Sequence, residues 1–265
     1  MDENRDTLRQ AVVLVSAIIA VVGAFIGSGA AGGTPIQNAA GGALAADATP
    51  IAPGGPAFAI WTPIYVGLLA YAVWQSLPKQ RTDERQRRLG YPIAASLILN
   101  ATWILSIQFG FLAASVPIIA ALLVVLIWAF CITLDTRPKN VVETIVADGT
   151  VGLYLGWVSV ATAANITALL VAAGFRGFGL GADAWAVLIV SVAGLVGVLV
   201  AIRGKGRLAP AVSLSWGLAW VAVARLTGDL LSAPAAIAAI VAVAAVIAVT
   251  ITSRIRHRSP RAVVA

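Results

Sequence analysis

Three short clusters of polar and aromatic side chains interrupt long apolar runs: Phe58-Ala-Ile-Trp61-Thr-Pro-Ile-Tyr65, Asn100-Ala-Thr-Trp103 and Trp157-Val-Ser-Val-Ala161-Thr-Ala-Ala-Asn165. Indole, phenol and carboxamide groups are costly to place in hydrocarbon without partners, so three such clusters in three runs point to one shared interior site. The chemistry open to them is recognition: flat aromatic faces stack on a planar apolar ligand and amides orient its polar substituents. No acid, base or nucleophile constellation accompanies them, so no catalytic residue is assigned and an ordinary enzyme is not expected. Cys131 is alone in an apolar run and His257 sits in a basic tail. Zinc, haem-thiolate and Cys–His chemistry therefore lack ligands, and no metal site is expected.

The elements that must hold these clusters follow from composition. With 60% apolar residues and a mean hydropathy of +0.94, the chain reads as an all-α integral membrane protein. Apolar runs near 10–27, 58–77, 91–110, 116–134, 149–172, 185–202, 209–226 and 234–252 give a bundle of about eight helices. Pro92, Pro117, Pro210 and Pro234 fall at the beginnings of runs and are expected in first turns. Pro63 lies deeper in its run and predicts a local kink beside Trp61 and Tyr65.

Orientation follows from the basic residues. With the N-terminus inside, sixteen of the eighteen Lys and Arg fall on the cytoplasmic side, leaving Arg176 and Arg225 outside. Eight spans with both termini cytoplasmic, in the cell membrane, is the reading this supports. The net charge of +7 then reflects topology and contact with membrane lipid rather than nucleic acid. Arg5 and Arg9 before the first run also fit a cleaved signal, but the run is long, and Gly23 and Gly27 have the spacing that lets membrane helices approach closely. The first run is therefore kept as a helix.

Residues 28–56 form a long external segment without Lys or Arg, fitting either a lid or a floppy spacer. It leads directly into Phe58, Trp61 and Tyr65. At 1.5 Å per residue, Trp61, Tyr65, Asn100, Trp103, Trp157 and Asn165 lie between about 6 and 18 Å below the outer boundary. Helical spacing gives each cluster a common face. A cavity under the loop is one reading; helix packing, with Asn100 and Asn165 as interhelical glue, is the other.

At these residues the chain resembles the translocator-protein or tryptophan-rich sensory protein (TspO/MBR) family. Phe58-x-x-Trp61-x-x-x-Tyr65 with Trp74 is similar to its second helix, Asn100-x-x-Trp103 to its third, and Trp157-x-x-x-Ala161-Thr-x-x-Asn165 to its fifth. The resemblance covers roughly residues 10–173, in a five-helix unit of residues 1–173 with external loop 28–56. It implies an aromatic cavity for a porphyrin-type tetrapyrrole or another hydrophobic small molecule, lined by Phe58, Trp61, Tyr65, Asn100, Trp103, Trp157, Ala161 and Asn165. The ligand would be porphyrin- or haem-like, with no cofactor required, and homodimers are common in the family. The family's sterol-recognition motif, Tyr then Lys or Arg, does not follow Asn165, which disfavours cholesterol.

Three further helices, 174–253, and a basic cytoplasmic tail, 254–265, exceed the family's usual five spans. Trp216 and Trp220 share a face of the seventh run and are expected to pack in its core. Arg225 is expected to snorkel or to pair with Asp229. Three functions stay open: a membrane receptor or sensor for a planar ligand, a transporter of small amphipathic molecules, and light-dependent porphyrin degradation.

Overall fold

A computed structural model describes residues 2–258. Among them, eight helices are long and apolar enough to cross a membrane. They are α1 (Asp2–Gly27), α2 (Trp61–Gln75), α3 (Glu84–Gln108), α4 (Leu112–Asp135), α5 (Val141–Ala172), α6 (Ala182–Arg203), α7 (Leu208–Thr227) and α8 (Ala233–Arg258). No strand occurs among the described residues. The chain is a multi-pass, all-α membrane bundle. Residues 259–265 of the expected tail lie outside the described residues.

Pro210 and Pro234 fall in first turns, where a missing N–H costs nothing. Pro92 and Pro117 do not: they lie inside α3 and α4. Helix α3 begins before its apolar run, at Glu84, because Asp83 caps it by accepting from the Arg85 and Gln86 N–H groups at 2.9 and 3.1 Å. The expected kink at Pro63 is also corrected. A 3-10 turn, Gly55–Ile60, brings the chain in, and α2 starts at Trp61, so Pro63 occupies its first turn.

Glycines set the helix spacing. A Cβ on Gly23 or Gly27 of α1 would stand 2.8 Å from Ala101 Cβ or 2.7 Å from Ile104 Cγ2 of α3, so these helices meet along the small-residue face. Gly156 of α5 faces α7, where an added Cβ would lie 2.2 Å from the Pro210 carbonyl oxygen. Backbone cannot retreat as a side-chain tip can. Gly156→Ala is therefore expected to lower stability by about 1–3 kcal/mol despite alanine's better helix propensity, read as a lower thermal midpoint in detergent.

The buried apolar side chains form two groups. One joins α1 to α5 around Tyr71, Trp103, Tyr154 and Trp157; the other joins α5 to α8 around Val190, Leu218 and Val246 and takes in Ile51 of the loop. Helix α5 supplies both, with Val158 in the first and Val160 in the second.

At the end of the bundle where α1 begins and α8 ends, charged side chains form a buried network. Arg85 of α3 donates to Glu143 Oε1 at 2.9 Å and to Asp148 Oδ1, both on α5, and its Nε donates to Thr136 Oγ1 at 2.8 Å. Arg207, just before α7, pairs with Asp148 Oδ2 at 3.2 Å and donates to the Thr133 hydroxyl and carbonyl at 2.8 and 2.6 Å. Asp148 lies in a π turn, Thr144–Gly149, within α5. Nearby, burial would raise the Asp83 carboxyl, but hydrogen bonds from Lys139 and from the Gln86 and Arg85 N–H groups outweigh it and hold it below the usual carboxylate range.

Candidate functional site

Away from that network, near the end of the bundle covered by residues 28–54, the three clusters meet. The 3-10 turn presents Phe58, and the first turns of α2 present Trp61 and Tyr65. Trp61 is the centre: its ring lies 5.8 Å from Tyr65, 6.5 Å from Trp103 in a stacked arrangement, and 6.2 Å edge-on from Trp157. Phe58 meets Trp157 edge-on at 5.8 Å. Such edge and offset contacts suit ring quadrupoles and fix the box without filling it.

The amides have different roles. Asn165 is fully committed: its Oδ1 accepts from Trp103 Nε1 at 2.6 Å and its Nδ2 donates to Ser115 Oγ at 2.8 Å, tying α5 to α3 and α4. That is interhelical glue. Asn100 Nδ2 donates to the Tyr65 hydroxyl at 2.7 Å, but its Oδ1 is buried without a donor. Trp157 Nε1 is likewise buried without an acceptor. One donor and one acceptor thus remain unspent in the aromatic box.

Two spaces adjoin the box, divided by Phe58 and Trp103, which line both. The inner one, about 30 Å³, lies under loop residues Leu44, Thr49, Ala52 and Pro53 and against Trp157, Ala161 and Asn165. It has room for about one water. The other, about 350 Å³, lies between α1 and the face bearing Trp61, Tyr65 and Asn100, and reaches the size of small-molecule pockets. The eight residues singled out by pattern therefore line two adjacent spaces instead of one.

The loop above them is packed rather than floppy. Thr49, Ile51 and Ala52 are buried, and helix α7 holds the segment at four points. Arg225 Nη1 donates to the Thr49 carbonyl at 3.0 Å, and Nη2 donates to the Ala46 carbonyl. Trp216 Nε1 donates to the Ala57 carbonyl at 2.9 Å, and the Gly54 N–H donates to the Trp220 carbonyl at 3.2 Å. Arg225 is thus buried against the loop and does not pair with Asp229, because two loop carbonyls lie within its reach. Trp216 and Trp220 form an edge-on pair, 5.8 Å apart, beneath the same segment.

Pattern reasoning also passed over Tyr154 and Ser115. Tyr154 touches Trp61 edge-on at 5.8 Å and donates to the Ser96 carbonyl at 3.3 Å; its spacing of three from Trp157 was a usable signal. Ser115 carries no such signal, since its importance lies in facing Asn165 from another helix.

No curated protein and no solved structure matched this chain. A family model described as TSPO-like protein matches residues 13–252, running from α1 through α8 and so across the three helices beyond residue 173. With the match covering nearly the whole bundle, the chain belongs to the TSPO-like protein family.

Proposed function

We infer that this membrane protein is a receptor or sensor for a planar hydrophobic ligand of the porphyrin-type tetrapyrrole class, bound among Trp61, Tyr65, Asn100, Trp103 and Trp157 under the loop. The observation that carries the reading is the aromatic box with an unpaired indole N–H at Trp157 and an unpaired carboxamide oxygen at Asn100. Buried polar atoms without partners are uncommon, and a ligand bearing both carbonyl or carboxylate and N–H groups satisfies both. Its flat face meets Trp61 or Phe58. A macrocycle does not fit the inner space with the loop down, so binding includes lifting of residues 43–53 from Ala161 and Asn165.

Titration of the purified protein with protoporphyrin IX, followed by tryptophan quenching, tests this. Trp157→Phe keeps an aromatic ring, smaller than the indole, and deletes the donor, and Asn100→Ala deletes the acceptor. Each is expected to weaken binding about tenfold, the worth of a buried hydrogen bond. If no tetrapyrrole binds, or if both variants bind as the wild type does, the assignment fails.

A further inference from the structure

A second cavity, about 550 Å³, lies between α5 and α6 on the other side of the loop segment from the aromatic box. Its walls are apolar, with Ile166 and Leu170 from α5, Ile189 and Val192 from α6, and Pro50 and Ile51 from the loop. We propose that this groove is a binding site for one anionic phospholipid, with an acyl chain between α5 and α6 and the phosphate on Arg176.

Length, charge and exposure agree on that occupant. The lining runs from Ala163 to Val171 on α5 and from Ala182 to Val192 on α6. At 1.5 Å per residue that is about 12–15 Å, one leaflet of a hydrocarbon core about 30 Å thick. The walls reach the lipid-facing surface, since Ile166, Leu170 and Val192 are each more than a third exposed. A water-soluble anion gains nothing from such walls.

Arg176 stands at the headgroup end of the groove, exposed and without an ion pair among the described residues. The other cation near this end, Arg225, is spent on loop carbonyls. Asp183, close in sequence to the lining, accepts from the Ser232 hydroxyl at 2.6 Å and makes no ion pair with Arg176 in the structure.

The rim is built to hold its shape. Trp185 Nε1 donates to the Gly177 carbonyl at 2.9 Å, and Phe175 meets Trp185 edge-on at 5.6 Å. Gly177 has φ of +72°, and a Cβ there would stand 2.9 Å from Trp185 Nε1, so glycine is required for this closure. Indole and phenyl groups at headgroup depth also suit a membrane interface.

The experiment uses the full chain in nanodiscs containing phosphatidylglycerol or phosphatidylcholine with brominated acyl chains. Quenching assigned to Trp185, by difference from Trp185→Phe, reports occupancy. Wild type is expected to prefer phosphatidylglycerol about fivefold, the worth of one arginine at an anionic headgroup. Arg176→Gln should bring the ratio close to one, Arg176→Lys should keep most of it, and Ala163→Phe, which narrows the inner end of the groove, should weaken quenching by both lipids. Equal quenching by the two lipids in wild type, or an unchanged ratio in Arg176→Gln with helicity intact, overturns the proposal. So does a dimer, seen by light scattering, in which neither lipid reaches Trp185, because a second copy would then fill the groove.

Discussion

Replacing Arg85 with alanine is expected to remove about 3–5 kcal/mol of stability, the cost of leaving a buried charge uncompensated. The environment makes this a severe case. Arg85 is 5% exposed and serves two carboxylates at once, while Glu143 is 1% and Asp148 8% exposed. Without the guanidinium, Arg207 still faces Asp148, but the Glu143 carboxylate keeps only the Gln86 amide and the Lys139 backbone N–H as donors. A loss of that size corresponds to roughly 6–20 °C in thermal midpoint for a chain of this length. Replacing Arg85 and Glu143 together with apolar residues of similar volume should recover much of it, since Asp148 keeps Arg207 and no charge is left stranded. Thermal unfolding in detergent distinguishes these outcomes. If Arg85→Ala melts with the wild type, water reaches the network and the side chains are not isolated from it.

That network also marks where sequence reasoning ends. The spans were legible because a hydrocarbon core admits only long apolar helices, and a close-packing face on α1 was legible because Gly23 and Gly27 recur at the spacing of one helix face, although nothing in that spacing names α3 as the partner. The aromatic clusters stood out as polarity where polarity is costly. By contrast, the start of α3 depends on Asp83 capping it outside the membrane, which an apolar window does not register. The π turn around Asp148 surrounds a carboxylate held between Arg85 and Arg207, which arrive from two other parts of the chain. The division of the site into two spaces depends on how Phe58 and Trp103 meet, and spacing within one helix says nothing of that.

Arg225 was misread for a related reason. Its partners are the carbonyls of Ala46 and Thr49, and a backbone carbonyl has no signature in a sequence, whereas Asp229 one turn away looks like a natural mate. The contact lies between residues more than 170 positions apart. It gives α7, one of the three helices beyond the five-helix pattern, a direct hold on the segment covering the aromatic box.

Arg225→Met is therefore expected to free that segment. The change keeps much of the side-chain volume and removes two charge-assisted hydrogen bonds, each worth about 1.5–3 kcal/mol. Loss of about 3 kcal/mol from the closed state corresponds to local opening on the order of 100-fold more often, read as faster hydrogen exchange of amides in residues 46–57. Trp216→Phe removes one neutral hydrogen bond, to the Ala57 carbonyl, and should give a smaller increase. If a tetrapyrrole enters beneath the lifted loop, its association and dissociation rates should both rise in Arg225→Met, because opening limits each. Faster exchange with unchanged ligand rates would place the route to the box elsewhere, through the larger space beside α1. Unchanged exchange would mean that the buried Ile51 and Ala52 side chains hold the loop, with Arg225 contributing little.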